Sequence, residues 1–165
     1  MLDNVLEDKI VQTIKIININ FSRIDYALLQ VNNCIPLEKE NYYLLPPNTI
    51  SFIDQYIFRF AKCQDVIGDK LFRYLLLSVE EEIDNEPFLN ILNRLEKIGI
   101  LSDKNEWIEL RKLRNLVSHE YPVLDDESVA ALNALFVAGD LLRAIYQRCV
   151  NFLRENHQFN FDLLH

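Results

Sequence analysis

The stretch Trp107-Ile108-Glu109-Leu110-Arg111-Lys112-Leu113-Arg114-Asn115-Leu116-Val117-Ser118-His119-Glu120-Tyr121-Pro122 holds the only Trp of the chain, and its only His outside the C-terminal tail. At about 100° per residue, Trp107, Leu110, Leu113 and Val117 form one apolar stripe, so the spacing predicts a helix with that face on a core. Arg111, Asn115 and His119 recur at i, i+4 and i+8 and share another face, with Ser118 close to Arg111. Arg114 falls at the edge of the apolar stripe, an awkward place for a permanent cation unless an anion meets it. Pro122 lacks an N–H and pushes Tyr121 out of the α region, so the helix should end around Ser118 to Glu120. In an unbroken helix Arg114 and His119 point well apart. Either the helix breaks between them or a second chain completes a site. The bland alternative is an ordinary solvated face, on which Arg, Asn and His have no task.

Working outward, residues 3 to 31 read as a long helix, with Leu6, Ile10, Ile14, Ile17, Phe21, Ile24 and Leu28 at three-or-four spacing. A connection follows over 32 to 47, punctuated by Asn32-Asn33, Pro36 and Pro46-Pro47. Tyr42-Tyr43-Leu44-Leu45 inside it should pack on the bundle. Asn48 or Thr49 can cap a second long helix with the stripe Ile53, Ile57, Phe60, Ile67, Leu71, Tyr74 and Leu75. Gly68 in its middle suggests close approach of another helix backbone, and Arg59, Lys62 and Asp65 lie where they could reach the His119 segment. Glu80-Glu81-Glu82 mark fraying and a turn, because a helix C-terminus disfavours anions. A short helix runs from about Pro87 to Lys97 and closes on Gly99. Ser102 or Asp103 caps the Trp107 helix, and Asp125 caps the last long one, striped by Val129, Leu132, Leu135, Phe136, Leu142, Ile145, Cys149 and Phe152. The tail from Asn156 is polar and aromatic and should be loose.

Four main helices and one short one give an all-α, up-and-down bundle, read as a single domain over 1–165. The length of 165 residues and the 50% hydrophobic content allow a real core. Three glycines leave no glycine-rich phosphate loop or dinucleotide fingerprint. Cys34, Cys63 and Cys149 form no CxxC pair, so unpaired thiols are expected and neither a zinc site nor a redox motif. His119, His157 and His165 lack the carboxylate spacing of a metal site, so no metal and no cofactor is expected. No basic leader opens the chain and no apolar run approaches the roughly eighteen residues of a membrane span, so a cytoplasmic protein without a membrane partner is expected. The net charge of −8 opposes general nucleic-acid coating, although Arg59, Lys62, Lys70, Arg73, Arg111, Lys112 and Arg114 gather positive charge locally.

Arg114-Asn115-Leu-Val-Ser-His119 with Tyr121 two residues on resembles the Arg/His signature of the HEPN superfamily, and the Tyr makes it similar to HepT-type toxins of HepT/MntA toxin–antitoxin systems. The Trp-x-x-x-Arg-x-x-Arg-Asn lead-in and the trailing Pro also fit that group. Phe58-Arg59-Phe60-Ala61-Lys62-Cys63-Gln64-Asp65-Val66-Ile67-Gly68 looks like the second helix of the same bacterial subfamily. The resemblance implies a helical bundle, a homodimer that brings two motifs together, and metal-independent RNA cleavage. For that chemistry we assign His119 to proton transfer, Arg114 to the phosphate and Asn115, one turn before His119, to orienting the imidazole or binding phosphate, with Ser118 and Arg111 in support and Arg59 and Lys62 as further substrate contacts. The resemblance also implies an antitoxin nucleotidyltransferase that silences the protein by AMP transfer to Tyr121. For Tyr121 the competing reading is an amphipathic residue closing the core at a helix end. For the whole chain it is a non-catalytic accessory or substrate-binding partner of a minimal nucleotidyltransferase.

Overall fold

A computed structural model describes residues 2–79 and 82–157. Seven α-helices occur among the described residues: α1 (Asn4–Val31), α2 (Lys39–Tyr42), α3 (Pro47–Val66), α4 (Phe72–Ser78), α5 (Phe88–Lys97), α6 (Lys104–Glu120) and α7 (Asp126–His157). A 3-10 turn, Asn32–Cys34, follows α1, and a π-turn, Ile67–Leu71, joins α3 to α4. The segment from Pro47 to Ser78 is thus one long rod, and the expected four long helices plus a short one are present as an all-α bundle. Helix α1 packs along α3, α6 packs on α7 and on α3, and α5 bridges α4 and α6.

The helix ends follow local chemistry. Asp3 caps α1, accepting from the Val5 N–H. Asp103 caps α6 by accepting from the Asn105 N–H at 2.7 Å, while Glu106 accepts from the Ser102 N–H at 3.1 Å. Asp125 takes both the N–H and the hydroxyl of Ser128, at 2.8 and 2.7 Å, and these bonds hold its carboxyl below the usual range. Gly99, at φ +80°, ends α5; the Ile100 and Gly99 N–H groups close on the Leu95 and Glu96 carbonyls. The expected cap at Asn48 or Thr49 is corrected. Helix α3 starts two or three residues earlier, on Pro47 with Pro46 as its N-cap, and the missing N–H of Pro47 costs nothing in a first turn.

The core collects the predicted stripes. Ile10, Ile14, Ile17, Ile53, Phe60, Ile67, Leu71, Leu75, Trp107, Leu132, Leu135, Leu142 and Ile145 are all buried. Tyr42 is buried as expected of its segment, whereas Leu44 is exposed. Cys63 and Cys149 are buried free thiols and Cys34 is half-buried. Tyr56 donates to the Leu135 carbonyl at 2.8 Å and so ties α3 to α7. Gly68 does meet a close neighbour, but it is the Trp107 side chain and not a backbone: a Cβ there would lie 2.9 Å from Trp107 Cζ2.

Two further expectations change. By length and composition α7 is apolar enough to cross a membrane, with a window of mean hydropathy 1.5, although 44% of that window is buried inside the bundle. Asn156 and His157 continue α7, and the His157 ring lies 3.1 Å from the Ser78 hydroxyl. The rest of the tail and the Glu80-Glu81 pair lie outside the described residues.

Gly68→Ala should destabilise the fold by about 1–3 kcal/mol, read as a lowered urea midpoint, because the buried indole cannot retreat. That reverses the gain of about 1 kcal/mol normally expected for this change in a helix. Stability should also fall in alkali. Burial pushes the Cys63 thiol up to about 12 and raises Cys149, Tyr56 and Tyr146 above their ordinary ranges. These groups stay protonated in the fold when the unfolded chain has already released its protons. Their contribution is therefore whole below about pH 9 and declines as the pH rises, by up to about 1.4 kcal/mol per unit for each group. Urea midpoints measured across that range check the sign.

Candidate functional site

Helix α6 runs without interruption through Arg114 and His119 to Glu120, and Tyr121 then turns extended at φ −67° and ψ 139°. Of the two expected ways to bring Arg114 and His119 together, a break in the helix is therefore absent. Five residues apart on one helix, they point about 140° from each other.

Arg114 has the anion its position demanded. Its Nη2 donates to Asp65 Oδ1 at 2.8 Å, with 18% of the Arg114 side chain and 44% of that of Asp65 exposed. One turn further along α6, the polar residues divide. Asn115, Ser118 and His119 are exposed, and their side chains make no hydrogen bond among the described residues. Arg111 is exposed and lies over the Phe88 ring at 5.1 Å, a cation–π contact with α5. Arg59 turns toward α1, donating to Asn20 Oδ1 at 3.3 Å, and Lys62 lies 5.8 Å from the Phe58 ring. Neither reaches the α6 residues directly.

Tyr121 is held by two partners that sequence reasoning missed. Its hydroxyl donates to Asp54 Oδ1, and it accepts from the Tyr42 hydroxyl at 3.0 Å. Burial first, then the bond to Asp54, raises its pKa well above the usual phenol range. Tyr42 is raised too, chiefly by burial. A signal for Asp54 did exist. Asp54 and Asp65 stand eleven residues apart, about three helical turns, so both carboxylates project from one face of α3. With α6 antiparallel to α3, one meets Arg114 and the other Tyr121.

Between α3, the π-turn and α6 lies a polar cavity of about 60 Å³, lined by Gln64, Asp65, Gly68, Trp107, Arg111 and Arg114, among others. Both amide atoms of the buried Gln64, the Trp107 Nε1 and the Arg114 Nε have no hydrogen-bond partner among the described residues. Such groups cost about 1–3 kcal/mol each unless water reaches them. A wider apolar groove, about 560 Å³, lies between α6 and α7 over Leu110, Leu113, Ala138 and Leu141, away from Arg114. Among the described residues no cluster of His, Cys, Asp or Glu could hold a metal.

No family model matches the chain, and no curated protein or solved structure matches it either. The chemistry of the site therefore rests on its own side chains: a guanidinium with one of its nitrogens engaged, an exposed imidazole, and a phenol bonded to a carboxylate.

Removing Asp65 should leave Arg114 without its anion. Asp65→Ala is expected to cost about 1–2 kcal/mol, and a double-mutant cycle with Arg114→Met should show a coupling of similar size. Additive effects in the cycle would show that the pair contributes nothing to stability.

Proposed function

We propose that this protein is a HepT-like ribonuclease that cleaves RNA without a metal and is held in check by a nucleotidyltransferase partner. What supports this best is the His119 imidazole, exposed near the C-terminal end of the helix that also carries Arg114. The guanidinium stays in reach of solvent, and Asp65 engages only its Nη2.

In this reading the ribose 2′-hydroxyl before the scissile bond attacks the phosphorus. His119 accepts the hydroxyl proton, and the 5′-oxygen departs with a proton from a second imidazole. Arg114 neutralises the charge growing on the phosphorane oxygens through its free donors. The products are a cyclic phosphate and a 5′-hydroxyl. One chain carries a single motif His, and its helix directs Arg114 and His119 apart, so the reading requires a homodimer in which His119 of the partner subunit supplies the second proton. Asn115 and Ser118, exposed beside His119, would contact the RNA backbone. Arg111 on Phe88 offers a cation with an aromatic platform for a base. Arg59 and Lys62 lie farther out and serve as peripheral charge. AMP transfer to Tyr121 would set a phosphodiester and a nucleoside next to this face and obstruct RNA phosphate. A cytoplasmic setting is part of this reading.

A second reading, a non-catalytic accessory partner of a nucleotidyltransferase, draws on two observations. Arg114 is already neutralised by Asp65, and among the described residues no side chain bonds the His119 imidazole.

His119→Ala and Arg114→Ala should each reduce RNA cleavage by at least about 100-fold, while circular dichroism stays that of the parent. Cleavage at the parental rate by either variant defeats the nuclease assignment. RNA left intact by the unaltered protein at high concentration, together with binding to a nucleotidyltransferase, decides for the accessory role.

A further inference from the structure

We propose that Asp54 is the proton acceptor that makes the Tyr121 hydroxyl a nucleophile toward an electrophilic adenylyl group. This rests on the reading of Tyr121 as a modified residue.

The Tyr42 hydroxyl spends its only proton on the Tyr121 oxygen, so the Tyr121 proton is directed at Asp54 Oδ1. Tyr42 is buried, at 3% exposure, and its ring lies edge-on to Tyr121 at 6.3 Å, which fixes the phenol from the core side. Asp54 is exposed, so a proton it receives can pass on to water. The relay therefore runs outward, from Tyr42 through Tyr121 to a carboxylate in contact with solvent.

Other tyrosines in the fold lack this arrangement. Tyr56 donates to a main-chain carbonyl, that of Leu135, Tyr43 to that of Leu124, and Tyr146 to the amide oxygen of Asn18. Those acceptors are neutral and very weak bases. Among the described residues, Tyr121 is the tyrosine whose hydroxyl meets a carboxylate. Its raised pKa means that little phenolate forms unaided near neutral pH, so attack by this oxygen needs a base at the moment of bond formation.

The Tyr121 oxygen attacks the α-phosphorus of a nucleoside triphosphate carried by the nucleotidyltransferase. The new O–P bond forms as the bond to pyrophosphate breaks, pyrophosphate leaves with the electron pair, and the phenolic proton goes to the Asp54 carboxylate. Tyr42 can still donate to the ester oxygen afterwards, so the modified side chain keeps its inner anchor.

The test uses the full chain and 5′-fluorosulfonylbenzoyladenosine, an electrophilic adenosine that needs no partner enzyme. Fluoride leaves as the phenol oxygen bonds to sulfur, and peptide mass spectrometry locates the adduct. Tyr121 should be labelled in the unaltered protein and in His119→Ala, with no label at this position in Tyr121→Phe. Asp54→Asn should slow labelling at least about tenfold near pH 7, and its rate should then climb with pH as free phenolate takes over. Asp54→Glu, which keeps the carboxylate, should recover most of the rate. Circular dichroism and urea midpoints of each variant confirm that the fold is retained. Equal rates for Asp54→Asn and the unaltered protein across the pH range overturn the role of Asp54 and leave Tyr121 as a target. Absence of label at Tyr121 in the unaltered protein overturns both. Neither result bears on RNA cleavage, which His119→Ala and Arg114→Ala decide separately.

Discussion

The seating of Trp107 against Gly68 sets the relation between α6 and α3, and the polar face depends on it. The indole is 1% exposed and lies 4.5 Å from the Phe72 ring, in the space left where the π-turn carries a glycine. A buried Trp cannot slide or rotate without opening a void, so it fixes both the phase and the height of α6. Every polar residue further along α6 then has its direction assigned by helical geometry alone. Arg114, seven residues on, is delivered to Asp65, and Tyr121, seven further, is delivered to Asp54. The two carboxylates of α3 act as rungs on which the C-terminal half of α6 rests.

The same geometry divides the motif. Its inner side is tied down by ion pair and hydrogen bond; its outer side, Asn115, Ser118 and His119, faces solvent. Arg111 and Lys112 add positive charge to this end of a chain whose net charge is −8. An approaching polyanion would be steered only locally, and the overall field would repel it. Selective engagement of a short single-stranded segment suits that charge pattern better than coating of a duplex.

Among the described residues, Gln64 has both side-chain polar atoms buried without a partner, beside the unpartnered Trp107 Nε1 and Arg114 Nε. It is a neutral amide, 1% exposed, on the α3 turn just before the π-turn. One extra residue in a helical turn displaces backbone and side chains from the regular ladder, and such turns collect at functional places. Gly68, whose missing Cβ leaves room for Trp107, lies in this turn, and the small polar cavity beside Arg114 borders it.

The long helices, the caps at Asp103 and Asp125, the Gly99 terminus and the buried stripes were legible in the sequence, because each depends on residues within a few positions of one another. The need of Arg114 for an anion was legible too, as a cation at the margin of an apolar stripe, and so was the termination of α6 before Pro122. The π-turn was not, since a one-residue slip leaves apolar residues at spacings that still pass for a regular helix. Nor were the choice of Asp65 for Arg114, the Tyr42–Tyr121–Asp54 relay, or the indole as the neighbour of Gly68. Those contacts join residues 39 to 79 positions apart, and they exist only when two antiparallel rods settle at one height and phase. That register is decided by how buried side chains of particular shape interlock, and no local pattern in the chain encodes it.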